Sequence, residues 1–176
     1  MNAENPSSSL QLSNTQARYW LEVVQVRRNV SYISLHCRRS EAIDRRLDIF
    51  AAVCGSGSIG GWAIWSQYHV FWAVIIALSQ VLTAIKPHLP YKKRIKSLYK
   101  LMYDLEVIAL KAEDRWYEIT EGRVSQDSIH KYYIDMKNDI KVSVNSSFGE
   151  NTLPEIKALI NKSDQMATEY FQSRWG

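Results

Sequence analysis

Residues Ile49–Ile85 read IFAAVCGSGSIGGWAIWSQYHVFWAVIIALSQVLTAI, thirty-seven consecutive positions without one Asp, Glu, Lys or Arg. Two apolar segments, 49–65 and 70–85, are separated only by Ser66, Gln67, Tyr68 and His69. Crossing a bilayer takes about 20 mainly apolar residues, within a range of about 17–25. Each segment reaches that range once its flanking Ser and Tyr are counted. A soluble hairpin of this size normally carries charges on an outer face. A bundle that buried the whole hairpin would need more apolar surface than the rest of a 176-residue chain offers. The stretch therefore predicts a transmembrane helical hairpin, with spans at about 48–66 and 69–86.

The flanks orient it. Arg27, Arg28, Arg38, Arg39, Arg45 and Arg46 precede the hairpin, and Lys86, Lys92, Lys93, Arg94, Lys96 and Lys100 follow it. The connecting turn has no Lys or Arg, so the positive-inside rule places both termini in the cytoplasm. Trp62, Trp65, Tyr68, Phe71 and Trp72 cluster at the turn, where indole and phenol rings suit the headgroup level. The net charge of +4 is concentrated beside the hairpin and reads as a topology signal and as contact with anionic headgroups. Nucleic-acid contact stays open as the alternative, although only Tyr91–Arg94 interleaves aromatic and basic residues.

Around the hairpin the chain divides into a polar, disordered tail at 1–12, a basic cytoplasmic helix at 13–47, and a cytoplasmic helical region at 91–176. The tail lacks the apolar core of a secretory signal. Ser13 or Asn14 can cap the first helix, whose apolar positions are Ala17, Trp20, Leu21 and Val24, then Tyr32, Leu35 and Ala42. No Pro or Gly interrupts 11–54, so this helix can continue into the first span. Pro87 and Pro90 end the second span. Leu98, Leu101, Met102, Leu105, Ile108, Ala109, Ala112 and Trp116 form one helical stripe, with Gly122 as a C-cap. Ser125 can cap a helix carrying Ile129, Tyr132, Tyr133, Met136 and Ile140. Pro154 suits the first turn of a last helix with Ile156, Leu159, Ile160, Met166 and Tyr170. The fold class expected is all-α: a membrane protein with a two-helix hairpin and a cytoplasmic helical region. Its amphipathic faces either pack with the first helix or pair between subunits.

Residues 55–60 spell the dinucleotide fingerprint GxGxxG. That chemistry needs a preceding strand, a helix N-terminus facing the pyrophosphate and an acid about twenty positions on. No acid follows until Asp104, and the motif sits inside a span. The same residues make packing sense: Ala51/Gly55, Ser56/Gly60 and Gly57/Gly61 are small-xxx-small pairs that let helices approach closely in lipid. They pack either against the second span or between subunits. Ser79 and Gln80 are the polar intramembrane positions. Gln80 is expected to hydrogen-bond across helices or meet water in an assembled pore. Cys37 and Cys54 show neither disulfide nor metal spacing. His36, His69, His88 and His130 lie far apart, and the acids Glu113, Asp114, Asp135 and Asp139 read as solvated helix faces. No catalytic, cofactor or metal residue is assigned, and the chain is not expected to be an enzyme.

A basic helix, a tight hairpin with a Gly/Ser-rich first span, a basic exit and a helical tail resemble the small two-transmembrane effectors of bacterial antiphage systems. Both the SLATT-type effectors and the effectors encoded beside retron reverse transcriptases are similar in architecture, over about 18–139. The resemblance implies a homo-oligomer in the bacterial inner membrane that permeabilises it in abortive infection. It also implies a restraining cytoplasmic partner, a retron reverse transcriptase complex or another sensor. The other class of function is a passive anchor or scaffold that recruits a cytoplasmic partner.

Overall fold

A computed structural model of the chain describes residues 6–64, 69–85, 91–149, 153 and 155–175. These form five α-helices: α1 (Pro6–Ile64), α2 (His69–Ile85), α3 (Tyr91–Thr120), α4 (Gln126–Phe148) and α5 (Lys157–Trp175). Among the described residues there is no strand, and Val142-Ser143-Val144, the weak strand candidate, lies inside α4. The chain divides into two compact units, one from residues 1–36 and 97–176, the other from 37–96.

The helix ends follow local chemistry. At the end of α3, Gly122 takes φ +69°, a conformation that costs other L-residues about 1–2 kcal/mol. Its N–H donates to Ile119 O and that of Arg123 to Glu118 O, both at 3.1 Å, which satisfies two terminal carbonyls. Ser125 caps α4 by accepting from Ser128 N, and Gly149 ends it at φ 58° with its N–H on Asn145 O. Two boundaries differ from expectation. The first helix starts at Pro6, not at a Ser13 or Asn14 cap, so residues 6–12 of the expected tail are helical and 1–5 lie outside the described residues. The last helix starts after Ile156, whose carbonyl accepts from Leu159 N and Ile160 N. Pro154 is outside the described residues. The continuous run of α1 through residues 11–54 is as the absence of Pro and Gly predicts.

The core of the first unit centres on α3, which buries Leu98, Leu101, Leu105, Ile108, Ala109, Ala112 and Ile119. Six of these belong to the stripe the spacing predicts; its Met102 and Trp116 are half-buried, and Ile119 is an addition. Ile129 and Met136 of α4 are buried too, each at about 1.5–3 kcal/mol for a full apolar side chain. In α1 the buried row is Tyr19, Val23, Val26, Val30 and Ile33. The expected face is partly displaced: Leu35 is buried as expected and Trp20, Val24 and Tyr32 are half-buried, but Leu21 is 67% exposed and Ala17 and Ala42 are exposed as well. Residues 17–26 carry apolar side chains around most of the helix, so periodicity alone cannot choose the inward face. Contact with α3 chooses it, and the Tyr19 hydroxyl donates to Ala112 O at 3.1 Å. The N-terminal helix thus joins the C-terminal helices in one bundle.

Candidate functional site

In the second unit, α2 contains no charged residue. Among its described side chains the one fully buried is Ser79, at 6% exposure, with Ile75 and Leu82 half-buried on the same side. Successive helical residues turn by about 100°, and the remaining directions point outward. Val70, Phe71, Val74, Leu78, Val81 and Ile85 are all exposed, between 47 and 66%. Gln80 and Thr83 are exposed on the other flank, among Ala73, Ala77 and Ala84. Thr83 Oγ1 donates back to Ser79 O at 2.8 Å, so that hydroxyl is satisfied within its own helix. In α1, Ile49, Phe50 and Val53 are exposed and Ala51 is half-buried. The side chains of Gly55, Ser56, Gly57, Gly60, Gly61 and Lys92, and the whole turn at 65–68, lie outside the described residues. Backbone is described at 55–60 and is helical, with no strand before it, which is not the setting a dinucleotide fingerprint requires. Among the described residues no helix is long and apolar enough to cross a membrane.

The basic flanks separate into two groups. Arg38, Arg39, Arg45, Arg46, Lys93, Arg94 and Lys96 are exposed. Arg27 and Arg28 are not headgroup-type cations: Arg28 pairs with Asp164 of α5, and Arg27 is buried at 7% exposure. The Arg27 partner is Glu113, also 7% exposed, which corrects the expectation of a solvated acidic face. Nε of Arg27 donates to Glu113 Oε1 at 3.1 Å, and Nη2 donates to the same oxygen. Nη2 also donates to Tyr170 Oη at 2.9 Å, and that hydroxyl donates to Glu113 Oε2 at 2.8 Å. The triangle ties α1, α3 and α5 together, with Arg174 Nη1 donating to the same phenol at 3.2 Å. Beside it the Trp20 ring lies 4.9 Å from Trp116 and 5.0 Å from Phe171. The other three acids behave as surface groups: Asp114 is exposed, and Asp139 and Asp135 pair with Lys111 and Arg115.

This cluster holds a carboxylate rather than freeing one for chemistry. Both Glu113 oxygens are engaged, and the guanidinium beside them cannot act as a base. Cys37 is buried, and burial together with nearby Glu41 pushes its thiol up to about 11, so it is protonated at neutral pH. Among the described residues no three His, Cys, Asp or Glu gather where they could hold a metal ion. A cavity of about 310 Å³ between α1, α3 and α4 is lined mainly by Ile33, Leu101, Leu105, Ile140, Val144 and Phe148. A smaller one of about 160 Å³ is lined by Thr15, Arg18, Gln126, Asp127, His130 and Tyr133.

Tyr19 gives the unit a pH limit. Burial raises its phenol well above the ordinary value of 10, so the folded state favours the protonated ring. That contribution is intact below pH 10 and is lost as pH climbs above it, where the unfolded chain ionises first. The melting temperature should fall between pH 9 and 11.5, and Tyr19→Phe should flatten that fall. A wild-type Tm constant over this interval contradicts the assignment.

No protein-family model matches the chain, and no curated protein or solved structure was found to be similar to it.

Proposed function

We propose that residues 48–86 lie in a lipid bilayer as a two-helix hairpin, with both termini in the cytoplasm. The observation that carries this reading is the uncharged α2, which, among its described side chains, has a small buried side and seven large apolar side chains exposed, Ile76 among them. Water does not favour a contiguous surface of that kind, whereas lipid solvates it. The seventeen residues of α2 rise about 25 Å, short of a hydrocarbon core of about 30 Å. A short hairpin thins the bilayer around it or associates with others of its kind, each at a modest cost per ångström. That mismatch and the architectural resemblance support the fuller proposal. The protein is a membrane-perturbing effector of an antiphage, abortive-infection system in the bacterial inner membrane, acting as a homo-oligomer and silent while a cytoplasmic partner restrains it. The reading assigns it no catalytic group.

One observation favours the anchor reading instead. The first unit has a full core of its own, as a recruiting module held at a membrane would. Expression in bacteria with a membrane-potential dye separates the two. The effector depolarises the cells when made alone and is quieted by its cognate partner. An anchor remains in the membrane fraction with the potential kept. A protein that stays in the supernatant after expression, and does not float with liposomes, fits neither. Fusing a reporter after Gly176 tests the topology, and a periplasmic signal overturns it.

A further inference from the structure

We propose that α5 is a releasable strap, which opens separately from α1, α3 and α4 and is held down by a polar latch centred on the Tyr170 hydroxyl. The strap and everything it touches lie within the first unit, whatever surrounds residues 48–86. Among the described side chains of α5 only Ser163 and Ala167 are fully buried, at 1% and 3% exposure, and both are small. Its larger apolar residues, Leu159, Ile160, Met166 and Phe171, are half-buried. By contrast α3 buries seven apolar residues. Lifting α5 therefore returns little apolar surface to water compared with opening α3.

Beside these half-buried apolar contacts the hold on α5 is polar, and the polar groups it leaves behind are not orphaned. Arg27 and Glu113 keep their own hydrogen bonds when Tyr170 departs. They also regain water, which relieves part of the cost of burying an ion pair. Arg28 and Asp164 are each more than a third exposed already, at 42 and 38% of their side chains, so their separation costs little. The Ile156 N–H, which donates to Tyr32 Oη at 3.3 Å, passes to water at the strap's base. The latch itself is the three-way junction at Tyr170 Oη, which accepts from Arg27 and donates to Glu113. Opening uncovers the Arg27–Glu113 pair and the edge of Trp20 that faces Phe171, an aromatic and bipolar face whose resident occupant is α5. A partner for that face must first displace the strap.

Hydrogen exchange on the full-length protein in a nanodisc or detergent micelle, read by mass spectrometry, tests this. Amides throughout 157–175 should exchange at least tenfold faster than those of 101–119, with no gradient from the Trp175 end of the kind that fraying gives. Tyr170→Phe keeps the ring and removes the latch, and should speed α5 about a further tenfold while α1, α3 and α4 keep their protection. Asp164→Asn, outside the junction, should change α5 by less than threefold. Equal protection of α5 and α3 overturns the strap. Acceleration of all four helices together by Tyr170→Phe, or of none, overturns the latch.

Discussion

Arg27→Ala should remove about 3–5 kcal/mol from the stability of the first unit, the cost of leaving one member of a buried ion pair behind. Glu113 would stay within the core with both oxygens aimed at a missing guanidinium, and Tyr170 alone would answer it. The double variant Arg27→Met, Glu113→Leu separates that loss from the worth of the pair. It replaces both charges with apolar groups of similar bulk, and such replacements are often neutral or stabilising by about 1–4 kcal/mol. Chemical denaturation followed by tryptophan fluorescence should therefore show a large loss in the single variant and recovery of most of it in the double. An Arg27→Ala midpoint equal to that of the wild type would mean that the cluster is hydrated, not buried.

The sequence revealed most about the elements whose local chemistry decides them. The α3 stripe, the Ser125 cap and the Gly122 C-cap are each set by residues within a few positions of one another, and each appears as read. The inner face of α1 is a different problem, because apolar residues point in nearly every direction between 17 and 26. Only contact with a helix almost ninety residues later, at Ala112 and Glu113, selects Tyr19 and Arg27 as inward. Arg27 looked like its neighbours in a basic run, and Glu113 like any acid on an exposed helix. A clue was present: Glu113 falls between Ala109, Ala112 and Trp116, on the flank of the α3 core stripe, where an acid needs a partner. The start of α5 was misplaced because Pro154 is permitted in a first turn but does not compel one. Gln80, expected to bond across helices, is exposed on α2, where the proposed bilayer would leave its amide to a neighbouring molecule.

Leu78→Arg together with Val81→Arg should abolish membrane partitioning while leaving the first unit folded. Both side chains are just over half exposed, at 53 and 52%, and both lie near the middle of α2. The two environments make opposite demands at these positions. In water an exposed Leu or Val gives way to Arg with a change usually within about 0.5 kcal/mol. At the centre of an inserted helix each Arg costs about 2.5–3.5 kcal/mol, and the lost Leu or Val adds a few tenths more. The pair therefore shifts the insertion equilibrium by about 6 kcal/mol, a factor of roughly ten thousand. Snorkelling from the middle of so short a helix recovers some of this, since the headgroups are only about 12 Å away along the axis. Flotation with liposomes gives the readout, and the melting of the first unit gives the control. A double variant that floats as the wild type does would place α2 in water, and the membrane reading would go with it. A variant that stays with the aqueous fraction and keeps the first unit's melting transition would make the outward apolar side chains of α2 the membrane contact.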